Sequence, residues 1–258
     1  MKSIKFFTIL VITLLFNVIV LGQQKAVIYL DGDSRLQGYF SKAKVSKAKI
    51  PGIIIIPAWF GLTDHEKEAA NKLALLGYHA LAADIYGPGN TPKTPEEAGE
   101  KANYYKANFS VFQSRIKAAI NEIIKQGADG EQIVVMGYCF GGTGALEAAR
   151  GDLPVKGVVS FHGGLGKDPK RTNTLIKPSI LVLHGADDPY VPAADINGFQ
   201  QEMREGKADW QMIYYADAVH AFTEKKAGND NSKGAAYNET ADKRSWEHMK
   251  LFLKQLFM

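Results

Sequence analysis

Gln132-Ile133-Val134-Val135-Met136-Gly137-Tyr138-Cys139-Phe140-Gly141-Gly142-Thr143-Gly144-Ala145-Leu146-Glu147-Ala148-Ala149-Arg150 is the stretch on which the reading of this chain turns. Gln132–Met136 is a nearly continuous apolar run that reads as a buried strand. From Thr143 onward the residues are small or helix-forming, and the helix is expected to begin near Phe140. Gly137 stands two residues before Cys139 and Gly141 two residues after it. A strand, a sharp turn and a helix with small residues at those positions make a nucleophile elbow of the G-x-S-x-G type, here with sulfur as the nucleophile.

The elbow's composition has a physical reason. The nucleophile must take a strained backbone conformation to project above the sheet edge. Glycines on either side let the backbone pass close to its neighbours. The start of the following helix aims free N–H groups and positive dipole at the sulfur, which favours the reactive thiolate. An inert buried cysteine is the plain alternative, but it gives no reason for the glycine spacing. A phosphate-cradling loop would need a Gly-Lys-Ser/Thr ending, which is missing.

Cys139 is the only cysteine among 258 residues. The chain opens with Lys2 and Lys5, then an almost wholly apolar run from Phe6 to Leu21 and small residues around Gly22. That pattern reads as a secretory signal peptide over residues 1–22, cleaved after Gly22. An uncleaved anchor is the alternative, because the run nears the ~17 residues needed for a span. The remainder, 23–258, has the length of one α/β domain. Exported proteins use cysteines in pairs or avoid them, so a lone cysteine at an elbow is better explained by chemistry than by stability. The formal net charge of +4, half of it from Lys2 and Lys5, gives no reason to expect nucleic acid as a partner. The lysines of Lys42–Lys49 read as a solvated loop.

Outward from the elbow, strands alternate with helices. Lys25–Leu30 and Arg35–Ser41 read as an opening hairpin. Gly52–Pro57, with four consecutive isoleucines, reads as a central parallel strand. Asp64–Leu76 is expected to be a helix capped at Thr63 or Asp64. Tyr78–Ala83 follows as a strand, and Glu96–Gln126 as one or two helices broken near Asn108. Strands Val155–Ser160, Ser179–His184 and Trp210–Tyr215, helices Ala193–Glu205 and Tyr237–Leu256, and a long loop over Ala216–Ala235 complete the pattern. Such alternation predicts a mostly parallel sheet with helices on both faces and a site at the carboxyl ends of its strands.

A cysteine nucleophile needs a base, and the base needs an orienting acid. His79 lies in a strand pattern, and His65 and His248 are expected at the surface on helices. His162 and His184 end strands near the site but lack triad spacing. His220 follows the strand ending at Tyr215 and hangs at the correct edge. In His184-Gly185-Ala186-Asp187-Asp188-Pro189 the acid is expected at Asp188, with Asp187 as the cap of the next helix. The order Cys139, Asp188, His220 is that of α/β-hydrolases. Two backbone N–H donors should face a developing oxyanion, from Phe140 and from Trp59 in the turn after the central strand.

With these residues in hand, the chain resembles the dienelactone hydrolase family of α/β-hydrolases. The resemblance rests on residues 137–142, Phe161-His162-Gly163-Gly164, Gly185–Pro192 and His220-Ala221-Phe222, with support from Ala236-Tyr237-Asn238 and Arg244-Ser245-Trp246. It implies an α/β-hydrolase fold and hydrolysis of a small-molecule ester or lactone through a thioester, with Cys139, His220 and Asp188 as the triad and without metal or cofactor. Two departures stand out. The family's glutamate in the oxyanion turn is matched by Ala58, and the loops around Tyr86 and after His220 lack the arginines that hold a substrate carboxylate. Phe60, Tyr86 and Phe222 are the expected pocket residues. Acyl transfer on the same triad, and a non-catalytic binding protein on the same fold, remain the alternatives.

Overall fold

The structure is a computed structural model that describes residues 24–45 and 48–258. The expected signal peptide lies outside the described residues. Among the described residues, eight strands form one sheet: β1 (Gln24–Asp31), β2 (Ser34–Ser41), β3 (Gly52–Ile56), β4 (His79–Ala82), β5 (Ile133–Tyr138), β6 (Gly157–Phe161), β7 (Ser179–Gly185) and β8 (Trp210–Tyr215). Their spatial order is β1-β2-β4-β3-β5-β6-β7-β8. β1 and β2 form the antiparallel hairpin, β2 meets β4 antiparallel, and every other neighbour is parallel.

Among the described residues, six α-helices cover the sheet: α1 (Asp64–Leu75), α2 (Pro95–Ala107), α3 (Phe109–Lys125), α4 (Phe140–Arg150), α5 (Ala193–Glu205) and α6 (Glu239–Leu256). Residues of the central strands alternate between two cores. Ile54, Ile56, Val135 and Val158 pack against Phe112 and Ile116 of α3, Leu146 of α4 and Phe199 of α5. Ile53, Ile55, Val134 and Val159 pack on the other face against Leu73 of α1 and Met249 and Leu253 of α6. A strand buried on both faces has no polar side to spare, which is why β3 reads as four isoleucines.

Several boundaries refine the expectation. β5 runs on to Tyr138, so Cys139 follows the strand without a spacer. The helical stretch does break at Asn108. Asn238 caps α6, its side chain accepting from the Ala241 N–H. Thr63 and Glu66 form a reciprocal capping box at the start of α1. Two histidines expected at the surface are half-buried instead. His65 packs edge-on against the Tyr138 ring, and His248 lies 2.8 Å from the Tyr215 hydroxyl.

The elbow is built by close backbone approach. A Cβ on Gly137 would overlap the Gly141 carbonyl, and one on Gly141 would overlap the Ile56 carbonyl of the adjacent strand. Cys139 itself has φ 53° and ψ −115°, a conformation that a residue with a side chain adopts at a cost of ~1–3 kcal/mol.

Candidate active site

Cys139, Asp188 and His220 come from three loops at the carboxyl edge of the sheet, after β5, β7 and β8. Their side chains meet. His220 Nε2 lies 3.0 Å from Cys139 Sγ, and His220 Nδ1 lies 2.8 Å from Asp188 Oδ2. The other Asp188 oxygen accepts the Tyr190 N–H at 2.9 Å, so the acid is held at both ends. Asp187 is exposed and caps nothing: the residue before α5 is Pro192, with no side-chain cap. The sequence expectation that Asp187 caps α5 is therefore corrected, while Asp188 faces the histidine. The His220 backbone is anchored from its other side, its N–H to the Gly234 carbonyl and its carbonyl to the Ala236 N–H.

The electrostatics favour an ion pair. Burial alone would push the Cys139 thiol up. The facing His220 charge, the hydrogen bond from its ring and the Phe140 N–H outweigh it and hold the thiol below its ordinary value, with Lys106 adding in the same direction. Burial likewise opposes a charge on His220, but the thiolate and the hydrogen bond to Asp188 push it up to about 10. Both shifts act in the direction of the charged pair, thiolate and imidazolium.

Of the two expected oxyanion donors, one is placed by a contact to the sulfur and the other by the turn that carries it. The Phe140 N–H is directed at the sulfur side of the elbow. Trp59 lies in the turn after β3, and no described residue accepts a hydrogen bond from its N–H. The turn is fixed on both sides of that group. Glu66 Oε1 takes the Ala58 N–H at 3.4 Å, and the Trp59 carbonyl accepts the Tyr86 hydroxyl at 2.9 Å. Glu66, almost fully buried, thus steadies the turn from the first helical residues that follow it. The Thr63-x-x-Glu66 capping box was the signal that would have found it.

The three expected pocket residues part company. Tyr86 is nearly buried but stacks 5.9 Å from the Phe140 ring and reaches the oxyanion turn. Phe60 is half-buried and meets Trp59 edge-on. Phe222 does not line a pocket: it is fully buried among Tyr215 and His162 on the α1–α6 face. An aromatic two residues past the histidine is drawn inward because the chain there folds back under the sheet edge. Tyr190 is a further exposed aromatic at the site, its ring edge-on to His220 at 5.4 Å.

A cysteine on an elbow after β5, an acid after β7 and a histidine after β8, on a mostly parallel eight-stranded sheet, define an α/β-hydrolase. The model of the dienelactone hydrolase family matches residues 36–257, and the chain belongs to that family. A "Putative carboxymethylenebutenolidase" of Salmonella typhimurium is 25% identical over 226 residues, covering 83% of this chain and 80% of the relative. A "Probable 2-oxo-3-(5-oxofuran-2-ylidene)propanoate lactonase" of Bradyrhizobium is 25% identical, with 87% and 90% covered. Among solved structures, a dienelactone hydrolase-like promiscuous phosphotriesterase from metagenomic libraries superposes with a TM-score of 0.84 at 36% identity, covering 91% of this chain and 98% of its own.

Proposed function

We propose that this protein is an exported hydrolase that cleaves a carboxylic ester or lactone through a thioester on Cys139. The observation that carries the reading is the single histidine bridging sulfur and carboxylate, with 3.0 Å on one side and 2.8 Å on the other. The Cys139 thiolate attacks the carbonyl carbon. The N–H groups of Trp59 and Phe140 receive the oxyanion, each worth ~3 kcal/mol at the transition state in comparable sites. His220, oriented by Asp188, gives its Nε2 proton to the leaving alkoxide as the C–O bond breaks. The neutral imidazole then takes a proton from water, and hydroxide addition to the thioester expels the thiolate and regenerates the pair. The names of the lactonase and carboxymethylenebutenolidase relatives support lactones as the first substrates to try.

His220 and the start of α4, not a glutamate in the oxyanion turn, activate Cys139 in this reading. With Ala58 at that position, the thiolate is held in the resting enzyme by His220 and the start of α4. Aromatic Trp59, Phe60, Tyr86 and Tyr190 around the opening support an apolar or aromatic acyl or alcohol group. The apolar N-terminal run with Lys2 and Lys5 supports export, which fractionation of cells expressing the full chain tests directly.

Turnover of a short p-nitrophenyl ester and of a lactone panel, by wild type and Cys139→Ala, is the deciding experiment. Wild-type turnover with a mass shift equal to the acyl group, both lost in the variant, is the expected result. Equal turnover by the two proteins would remove Cys139 from the chemistry. Added alcohol or amine acceptors in the same assay separate hydrolysis from acyl transfer, since a transferase diverts most of the product at low acceptor concentration while a hydrolase does so only with acceptor in large excess. A phosphotriester belongs in the same panel because the neighbour at 36% identity is described as a promiscuous phosphotriesterase.

A further inference from the structure

We infer that His162 is a positioning residue for the Cys139–His220 pair, because one ring nitrogen accepts the nucleophile's own backbone N–H, the other bonds the loop that carries His220, and the ring abuts His220 itself. The inference rests on the reading of Cys139 and His220 as nucleophile and base.

His162 is fully buried and lies one residue past β6, next to the elbow. Its Nδ1 accepts the Cys139 N–H at 3.2 Å, a proton shared with the Phe161 carbonyl at 3.0 Å. The Phe161 bond extends the β5–β6 ladder and would form with any residue there. The His162 bond is a side-chain addition, and it acts on the one residue of the elbow whose φ is strained. His162 has its own unusual backbone, φ 39°, tied by its N–H to the Leu183 carbonyl of β7 at 2.8 Å. Strained conformations persist only where the surroundings over-determine them. Here two strained residues hold each other.

A backbone N–H can only donate, so Nδ1 carries no proton and the ring proton is on Nε2. Nε2 lies 2.8 Å from the Thr223 hydroxyl and donates to it. Thr223 is three residues past His220, and Phe222 packs edge-on to the same ring at 5.0 Å. The His220 ring itself meets His162 edge-on at 5.3 Å. Among the described residues, no other side chain apart from His220 bonds both the elbow and the histidine loop. His162 also stays uncharged beside the imidazolium: burial first, then the His220 charge, hold it well below its ordinary value, with His65 and His184 pushing the same way.

The test compares His162→Leu, His162→Asn and Thr223→Val with wild type. Two readouts are used: the pH profile of Cys139 alkylation by iodoacetamide, and kcat and KM on p-nitrophenyl acetate. His162→Leu removes both bonds and is expected to raise the alkylation midpoint by at least ~1 pH unit and lower kcat ~100-fold, with KM within ~3-fold, as a sub-ångström to ångström displacement of a reacting group does. His162→Asn, whose side-chain oxygen stands where Nδ1 stood, is expected to recover kcat to within ~10-fold of wild type, and Thr223→Val to lose ~10-fold. A folded His162→Leu with the wild-type midpoint and kcat overturns the inference. Should that variant not fold, Thr223→Val with wild-type kcat and profile overturns it alone. A wild-type midpoint at the ~8.5 of a free thiol would instead sink the triad reading, whatever the variants do.

Discussion

Two histidines of this molecule stand beside carboxylates near the carboxyl edge of the sheet, and their outcomes are opposite. His220 and Asp188 lie 2.8 Å apart, and His220 is pushed up to about 10. His65 and Glu224 lie 3.5 Å apart on the other face, at a cleft of about 740 Å³ between α1, α6 and the Thr223–Lys226 stretch. There burial lowers His65 and raises Glu224 to about 8, so both favour their neutral forms. Similar groups in similar burial thus give an ion pair in one place and an uncharged pair in the other. Hydrogen bonding makes the difference. Asp188 takes bonds from the Tyr190 N–H and His220, and His220 has the sulfur anion beyond it. The His65 Nε2 is buried without a hydrogen-bond partner, and Glu224 has the Glu66 carboxylate nearby. A charge survives burial only where its lone pairs and protons are satisfied.

The most damaging way to break the charged side is Asp188→Asn. The amide puts an N–H or a neutral oxygen against His220 Nδ1, which removes the anion and permits the wrong ring tautomer. A loss of ~10³–10⁴ in kcat is expected, with KM little changed, from the precedent of other triads. Steady-state kinetics on p-nitrophenyl acetate checks it. A loss below tenfold would mean that Asp188 orients nothing that matters.

Next in size is pH. In the proposed mechanism the acylating form needs the thiolate and the imidazolium together. Activity should therefore fall about tenfold per unit above about pH 10, as His220 loses its proton, and fall on the acid side as Cys139 gains one. Stability follows the same sign. A histidine raised in the fold stabilises fully below its ordinary 6.5 and loses that contribution as pH rises through about 10. A kcat profile that falls already at pH 8 would contradict the assignment. Tyr190→Ala is a smaller cut: it keeps the backbone N–H on Asp188 but strips the ring from His220. A ~3–10-fold fall in kcat is expected, since water gains access to the imidazole without loss of its orientation.

The contrast also shows what a sequence can disclose. The meeting of Cys139, Asp188 and His220 is legible because elbow glycines, chain order and strand ends are local patterns that point to one sheet edge. β3 was legible because a doubly buried strand has only apolar choices. Phe222 was misjudged because its neighbour His220 faces outward, and nothing local says that the chain turns under itself within two residues. The role of His162 is illegible for a different reason: its contacts run to Cys139 and Thr223 through register and loop packing between separate elements, which no spacing along the chain encodes. Glu66 is an intermediate case, since its capping box is a local pattern but its reach back to Ala58 is not. The half-burial of His65 has the same origin: the Tyr138 ring that covers it arrives from β5.

The gentlest test acts on the uncharged side. Glu224 keeps its proton in the fold up to about pH 8, whereas in the unfolded chain it releases it near 4.5. A carboxyl raised in this way stabilises the fold fully below pH 4.5, and that contribution is lost as pH rises through 8. Glutamine holds the neutral shape at every pH. Glu224→Gln should therefore match wild type at pH 5 and gain ~1–2 kcal/mol, or ~2–6 °C in Tm, at pH 9. The gain is set below the full shift because the side chain keeps some solvent contact and Lys226 favours its anion. Turnover should stay within about twofold, as Glu224 touches neither Cys139 nor His220. Thermal melts at the two pH values decide the matter. An equal Tm difference at pH 5 and pH 9 would show that Glu224 ionises normally, and the two faces of this sheet edge would then not differ in the way their hydrogen bonds require.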